Sequence, residues 1–292
     1  MRIILSRKGF DSSLQGGGNP NIIYNNTPYM IPIPEEGTGI KYADLPFEET
    51  NYLEVMRDLN INQFTECHLD PFISKDIRPL QCNLWKFNLG QVDKAQSSLD
   101  NIEPPVREGD LFLFFGWFKK VEKGTKGYKY IPLKNYHPDG VHLIYGYLYV
   151  GKKTAIQKHK KRPDWTDNHP HILHQDFYDK KYLNNNTLYV AKEQFKNTGL
   201  PGAGVFTFSE ALILSKRKHV DKNNSPIVYT RTIWELPSAF LGAKIKLLNK
   251  SQPLENTTIK AASRGQEFVV LDDPDKKISL WAEKLITTYL KK

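Results

Sequence analysis

The chain alternates short apolar runs with clusters of polar residues, and most of the apolar runs have the length of a β-strand. The run 109–118 is almost wholly apolar, which is typical of a central strand, whereas 141–150 alternates as a half-buried strand does. Strands are predicted for residues 3–5, 109–118, 141–150, 187–191, 205–214 and 268–270, with a proline-containing extended segment at 29–34. Helices are predicted for residues 47–59, for part of 76–100 and for 275–290.

This pattern predicts one α/β (mixed α+β) domain over residues 1–292, with a central mixed or largely antiparallel sheet flanked by helices. A β-rich subregion is expected at 105–240. Within it, 109–118 and 141–150 should form a hairpin, with a Lys-rich turn at 119–126. A Gly-Asp pair leads into the first of these strands, and this part resembles the small β-barrels of the PUA and EVE type. The resemblance implies a barrel portion in the middle of the chain.

The first predicted strand ends in a dense group of polar side chains followed by glycines. Sites of α/β proteins tend to form where buried strands end, and glycine lets the backbone approach a ligand closely, so we expect the floor of a site here. The residues concerned are Arg7, Lys8, Asp11, Ser12, Ser13 and Gly17. Asp11 is the first candidate for a catalytic carboxylate. The alternative is that Asp11 caps its own loop.

A second compact group occupies residues 66–71, where His68 and Asp70 precede a proline. Both side chains are candidates for an acid, a base or a contact to the edge of a nucleobase, and Asp70 is the second choice for the catalytic carboxylate. A strand end with a capping aspartate is the alternative interpretation.

Charge narrows the class of partner. The formal net charge of +9 over 292 residues favours a polyanion, because Lys and Arg release counterions when they meet phosphates. Nucleic acid is therefore the leading class of partner, and a basic protein whose charge serves only solubility is the alternative. Basic residues interleaved with aromatic ones are typical of a surface that tracks a backbone and stacks bases, although a solvated loop would have the same composition. The residues of this surface are Lys152, Lys153, Lys160 and Trp165.

The two cysteines are too few for a disulfide framework, so free thiols and a reducing compartment are expected. The chain has no apolar run of membrane-spanning length, and its basic, polar start continues directly into a strand. We therefore predict a cytoplasmic protein that has no contact with a membrane and no obligate protein partner.

Three histidines, His169, His171 and His174, have a spacing that zinc chemistry permits, and Asp167 or Asp176 could complete a shell. The segment is short, interrupted by proline and without cysteine, so no metal site is predicted. Whether the histidine cluster binds a metal stays an open question.

The chain also lacks a dinucleotide-binding glycine motif, a phosphate loop and paired Cys-x-x-Cys ligands. No cofactor is predicted.

The remaining chemistry needs a carboxylate, hydrogen-bond donors and a cationic groove. Cleavage of an N-glycosidic bond in DNA fits, because the sugar develops oxocarbenium character that one aspartate can stabilise. A flipped base would be selected by polar and aromatic groups. Trp117, near the end of the run 109–118, is an aromatic candidate for that contact.

Motifs spread over nearly the whole chain resemble the nucleotide modification associated domain 3 family. They lie at residues 6–13 (Ser-Arg-Lys-Gly-Phe-Asp-Ser-Ser), 32–34, 68–71, 109–118, 199–206 and 264–269 (Arg-Gly-Gln-Glu-Phe-Val). The resemblance implies an association with phage and bacterial systems that make, remove or sense modified DNA bases. In the last motif, Arg264 and Gln266 are candidates for reading the base or clamping a phosphate, and Glu267 is a third candidate carboxylate. Asn21 departs from the family pattern, in which a serine-proline pair is expected at this turn.

Three functions remain open. The favoured one is a DNA glycosylase that excises a bulky, hypermodified or glycosylated base from phage DNA and leaves an abasic site, as an anti-phage defence. The second is a transferase or hydrolase in the biosynthesis of a modified base. The third is a reader that binds modified DNA without catalysis.

Overall fold

A computed structural model describes residues 1–79, 82–157, 160–177, 184–247, 250–261 and 268–291. Its strands are β1 (Ile3–Arg7), β2 (Asn21–Tyr24), β3 (Thr27–Tyr29), β4 (Ile33–Pro34), β5 (Pro46–Phe47), β6 (Thr50–Asn51), β7 (Cys67–His68), β8 (Asn88–Gln91), β9 (Leu111–Gly124), β10 (Gly127–Ile131), β11 (Val141–Ile156), β12 (Asn186–Ala191), β13 (Ala203–Val205), β14 (His219–Val220), β15 (Pro226–Ile227), β16 (Ile233–Glu235), β17 (Lys244–Leu247), β18 (Lys250–Pro253), β19 (Thr258–Lys260) and β20 (Phe268–Asp272). The α-helices are α1 (Tyr52–Asp58), α2 (Asp93–Asp100), α3 (Pro170–Phe177) and α4 (Lys277–Tyr289). Within these ranges no helix has both the length and the hydropathy needed to cross a membrane.

The chain divides into two compact units. The terminal unit comprises Met1–Ile31, Phe112–Gly146 and Val205–Lys292, and the inserted unit comprises Pro32–Leu111 and Tyr147–Gly204. The predictions of one domain and of a β-rich subregion at 105–240 stay predictions.

The terminal unit is built on a mixed sheet whose strand order is β18-β17-β20-β1-β9, followed by the first part of β11. β1 and β20 are antiparallel, with Ile4 opposite Val269, whereas β2 runs parallel to β9, with Ile22 opposite Lys119. Both faces of β1 are buried because Ile3, Ile4 and Leu5 are all apolar.

The inserted unit contains a smaller antiparallel arrangement. β12 pairs with β8, placing Leu188 opposite Gly90, and on its other side with the second part of β11, placing Leu188 opposite Thr154. Helices α1, α2 and α3 belong to this unit, as do the short antiparallel pairs β4–β7 and β5–β6.

The predicted fold class is confirmed, since the chain is mixed α/β with a large mixed sheet and few helices. The expected barrel portion is wrong: among the described residues, no set of strands pairs round into a closed ring. The reason is that β9 pairs with β1 and β2, which come from the beginning of the chain, so local neighbours do not close on each other.

Four predicted elements need correction. The helix expected at 47–59 begins only at Tyr52, because the Asn51 side chain accepts a hydrogen bond from the Glu54 N–H at 3.0 Å and so caps it. The turn expected at 119–126 is shorter, since β9 continues to Gly124 and pairs with β10. The strand expected at 205–214 ends at Val205, and a 3-10 turn follows at Glu210–Leu212. The loop expected around the histidines contains helix α3.

A buried histidine lies in the core of the terminal unit. The Nδ1 atom of His142 accepts a hydrogen bond from Trp234 Nε1 at 2.8 Å, and its backbone N–H donates to Ser215 Oγ. Burial, reinforced by the positive charges of Arg7 and Arg231, lowers the pKa of His142 well below its usual range. The folded protein therefore keeps this ring neutral.

We expect the free energy of unfolding to fall as the pH decreases below about 6.5, by up to about 1.4 kcal/mol per pH unit from His142. The sign follows because the unfolded chain takes up a proton that folded His142 refuses. Urea unfolding between pH 5 and 8 measures this slope, and His142→Gln should reduce it. The exposed His219, changed to Gln, is the control that should leave it unchanged. Equal slopes in wild type and His142→Gln would contradict the assignment.

Candidate functional site

Two short strands of the inserted unit bring a carboxylate next to an imidazole. β4 pairs with β7 so that Ile33 lies opposite His68, and Glu35 directly follows β4. His68 Nδ1 is hydrogen-bonded to the Glu35 carboxylate. Strand pairing therefore joins two residues that are 33 positions apart in the sequence.

Helix α3 supplies two more histidines. Proline is favoured in the first turn of a helix, where its missing N–H is not needed, and α3 begins at Pro170. His171 and His174 are three residues apart and so share one face of the helix. His174 Nε2 lies 3.3 Å from the same Glu35 carboxylate oxygen that contacts His68.

Strands β8 and β12 orient Asp70 and His171. The Gly90 N–H donates a hydrogen bond to Asp70 Oδ1 at 2.6 Å. Asn186 donates from Nδ2 to the His171 carbonyl at 3.0 Å, and its Oδ1 lies 2.8 Å from His171 Nδ1. Only the amide nitrogen of Asn186 can donate to a carbonyl, so its oxygen faces Nδ1, which must carry the proton. In the neutral ring, the lone pair of His171 then lies on Nε2.

We call these five residues the histidine–carboxylate cluster; they are Glu35, His68, Asp70, His171 and His174. The ligand-type atoms of His68, Asp70 and His171 all lie within 4.8 Å of one another. The side chains of His68 and His174 are 7% and 8% exposed, whereas that of Glu35 is 18% exposed. The cluster is therefore buried and is more open to solvent at Glu35 than at these two histidines.

The charge of the cluster is set at Glu35. Burial opposes ionisation of this carboxyl, but the hydrogen bonds and the nearby charges of His174 and His68 outweigh it and hold the pKa of Glu35 well below its usual range. Glu35 is therefore ionised at neutral pH and contributes a negative charge to the cluster.

His169 lies beside the cluster but has a different environment. Its Nε2 is 2.9 Å from Asn88 Oδ1, and burial, with a smaller contribution from His68, lowers the pKa of His169 well below its usual range. Of the three histidines singled out by spacing, His171 and His174 belong to the cluster. Asp167 lies 3.6 Å from Arg162, and the side chain of Asp176 is outside the described part of the chain.

Both cysteines are free, which confirms the prediction of free thiols, and both are buried. Burial raises the pKa of the Cys67 thiol, and it raises the pKa of Cys82 to about 12. Thiols of this kind are unreactive at neutral pH. Cys67 therefore adds no nucleophile to the cluster, although it precedes His68 in the chain.

The loop after β1, in the terminal unit, is closed by its own hydrogen bonds. Asp11 Oδ1 accepts from the Ser13 N–H at 2.7 Å and from Ser13 Oγ at 2.6 Å. Ser13 Oγ also accepts from the Gly16 N–H at 2.9 Å. Gly17 has a φ of 89°, a backbone conformation that favours glycine. Ser12 is partly buried. This geometry corresponds to the capping alternative for Asp11.

Asn21 holds this loop in place. Its Oδ1 accepts from the N–H groups of Phe10 and Ile31 at 3.1 and 2.8 Å, and its Nδ2 donates to the carbonyls of Phe10 and Trp117 at 3.0 and 2.9 Å. A buried side chain with four hydrogen bonds is a structural residue.

The other predicted DNA contacts of the terminal unit are partly engaged within the protein. Burial lowers the pKa of Arg7 to about 10, against the opposing charge of Asp11, and the Arg7 guanidinium lies over the Phe115 ring at 5.3 Å. The backbone N–H of Lys8 donates to the Phe115 carbonyl. Arg231 covers the Trp117 ring at 4.2 Å.

A small pocket of about 200 Å³ lies in the inserted unit beside Trp165, with Lys86 and Lys152 among its lining residues. The Trp165 ring packs on a hydrophobic cluster that includes Ile172 of α3. Lys160 is exposed, whereas Lys153 pairs with Asp100 at 2.6 Å. We call this cavity the Trp165 pocket.

A larger cavity of about 550 Å³ lies in the terminal unit and is lined by residues 216–219. Its cations face carboxylates: Lys216 lies 2.9 Å from Glu235, and Arg217 pairs with Glu210. The positive charges of Lys216 and Arg217 are therefore offset by carboxylates within the cavity.

The remaining candidates, Arg264, Gln266 and Glu267, lie outside the residues that the structure describes.

The sequence did not indicate three residues of the site: Glu35, Gly90 and Asn186. Glu35 belongs to no recognisable sequence motif. Its contact with His68 becomes apparent only when β4 pairs with β7. Gly90 could have been suspected, since a glycine within an apolar strand indicates a close approach.

Fold and site define a mixed α/β protein with a buried histidine–carboxylate cluster. A family model described as nucleotide modification associated domain 3 matches residues 2–271. The chain belongs to this family, and membership implies involvement with modified nucleotides. A search of curated proteins and a search of solved structures found no match.

Gly90 leaves room for the His171 ring, because a Cβ added at Gly90 would overlap His171 Nε2. We expect Gly90→Ala to lower the free energy of unfolding by about 1–3 kcal/mol, since the ring must shift. Urea unfolding measures this loss. Gly124→Ala is the control, because the nearest atom there is 3.8 Å from the new Cβ, and it should change stability by less than about 1 kcal/mol. Equal stability of the two variants would contradict this packing.

Proposed function

We propose that the protein hydrolyses the N-glycosidic bond of a modified base in DNA, and that the histidine–carboxylate cluster is its catalytic centre. The family supports a modified nucleotide as substrate, and the net charge of +9 supports a polyanion. The observation that carries the proposal is geometric: the Glu35 carboxylate contacts two imidazoles, His68 and His174, and a second carboxylate, Asp70, lies within 4.8 Å of His68.

The reaction breaks the bond between C1′ of the sugar and the base nitrogen, adds the oxygen of water to C1′, and gives the departing base a proton. The ligand-type atoms of His68, Asp70 and His171 lie within 4.8 Å of one another, so hydrogen bonds from this trio could hold the attacking water. His174, which lies 3.3 Å from Glu35, would take the proton lost by that water and pass it to the departing base, so that the proton count balances. The carboxylate of Asp70 stabilises the positive charge that develops on the sugar.

This assignment moves the catalytic carboxylate from Asp11, the first choice from sequence, to Asp70, the second. Asp11 uses an oxygen to close its own loop. The side chain of Asp70 accepts a hydrogen bond from the Gly90 N–H and lies among titratable groups of the cluster.

A non-catalytic reader is the second candidate, and the Trp165 pocket favours it. The pocket combines an aromatic side chain with Lys86 and Lys152, groups that suit a stacked base and a phosphate. Ile172, which packs with Trp165, follows His171 in α3, and neighbouring helical residues point about 100° apart. A base could therefore be bound here without reaching the cluster. A biosynthetic enzyme would use the cluster on a free nucleotide instead.

Incubation of the protein with DNA containing glycosylated 5-hydroxymethylcytosine, followed by alkali, should break the modified strands and leave unmodified DNA intact. Asp70→Asn and His174→Gln should each reduce the rate at least about 100-fold, as expected for loss of an acid–base or charge-stabilising group. Mass spectrometry of the released base measures the reaction directly.

Asp11→Asn is the matched control, because it removes the same charge from a loop cap, and it should retain activity within about threefold. Activity lost in Asp11→Asn and kept in Asp70→Asn would return the assignment to Asp11. Intact DNA that is nevertheless bound, with binding lost in Trp165→Ala, would establish the reader. Turnover of free modified nucleotides only would establish the biosynthetic enzyme.

A further inference from the structure

We propose that His68, Asp70 and His171 bind a divalent transition-metal ion of the zinc type, with Glu35 and Asn186 as positioning residues. The inference deepens the proposed function by naming what would hold the attacking water, and it rests on that function only for this role. Ion binding itself needs neither DNA nor catalysis.

The first argument is the ligand set. Two imidazoles and one carboxylate, with ligand-type atoms within 4.8 Å of one another, are the donors that zinc, cobalt or iron(II) prefer. Magnesium and calcium prefer oxygen ligands instead. Two ligands bound at about 2.1 Å to one ion are at most about 4.2 Å apart, so small side-chain rotations would close the trio around it.

The second argument is the orientation of the rings. Histidine ligands commonly donate their second ring nitrogen to a carboxylate or a carbonyl oxygen, which fixes the tautomer. Here His68 Nδ1 contacts the Glu35 carboxylate, and His171 Nδ1 donates to Asn186 Oδ1. Both rings therefore have Nε2 as the nitrogen suited to coordinate an ion.

The third argument is the packing around Gly90. Its N–H holds Asp70 Oδ1 at 2.6 Å, and the same residue leaves space for His171 Nε2. One glycine thus brings together a carboxylate from the loop after β7 and an imidazole from α3. A larger residue would separate the two ligands.

The fourth argument is charge. Buried charges in proteins are paired or coordinate metals. The two negative charges of Asp70 and Glu35 together balance the charge of a divalent ion. Asp70 would bind the ion directly, whereas Glu35 would act through its contact with His68. Three protein ligands leave coordination positions for water, the arrangement of catalytic rather than structural zinc sites.

The experiment uses the full chain, stripped with a chelator and titrated with ZnCl₂ by calorimetry and with CoCl₂ by visible absorption. We expect one ion per chain, and ligand-field bands of Co²⁺ bound to nitrogen and oxygen. His171→Ala and His68→Ala should each weaken binding at least about 100-fold, and Asn186→Ala about 10-fold, the effect of losing an outer-shell partner.

His169→Gln is the matched control. His169 is equally buried, precedes the same helix and bonds to Asn88, and glutamine can keep that bond, so its affinity for zinc should be unchanged. Circular dichroism checks that each variant is folded. If a ligand variant does not fold, the Co²⁺ spectrum and stoichiometry of the wild-type chain decide the question.

Fewer than about 0.1 ion per chain, or binding that survives both histidine substitutions, would overturn the inference. An ion bound by a protein that does not cleave modified DNA would leave the metal site standing and refute the proposed reaction. Cleavage that continues in a chain stripped of the ion would leave the proposed reaction standing and refute the role of the ion in holding the attacking water.

Discussion

The ionised Glu35 carboxylate, which is partly buried, hydrogen-bonded to His68 and close to His174, is the constraint on which the inserted unit depends. A buried carboxylate is tolerated only when donors surround it. Its two partners come from a two-residue strand, β7, and from helix α3. Satisfying one side chain therefore ties together three segments that are distant in the sequence.

Two further residues, Asn186 and Gly90, orient the other side chains of the histidine–carboxylate cluster. Asn186 fixes the ring of His171, and Gly90 fixes the carboxylate of Asp70. These two residues sit on paired strands, β12 and β8, so backbone pairing determines where the ligand-type atoms meet. Side chains held by such regular elements are better positioned for chemistry than side chains on loops.

The terminal unit uses its polar residues differently. The loop after β1 contains carboxylate, hydroxyl and glycine groups in a pattern typical of a site, yet these groups mainly bond to one another. Asn21 completes the arrangement with four buried hydrogen bonds. A polar cluster after a buried strand can therefore be a structural loop, and only the hydrogen-bond partners distinguish the two cases.

The sequence by itself determined the fold class, the main strands and the C-terminal helix, because β1, β9, β11, β12 and α4 follow from local apolar periodicity. It also indicated His68 and Asp70 as one group and His171 and His174 as another. Their meeting was decided by tertiary structure: it depends on β4 pairing with β7, on α3 replacing a predicted loop, and on Glu35, which has no local signal. Strand pairing and side-chain hydrogen bonding between distant segments are non-local, so spacing along the chain could not reveal them.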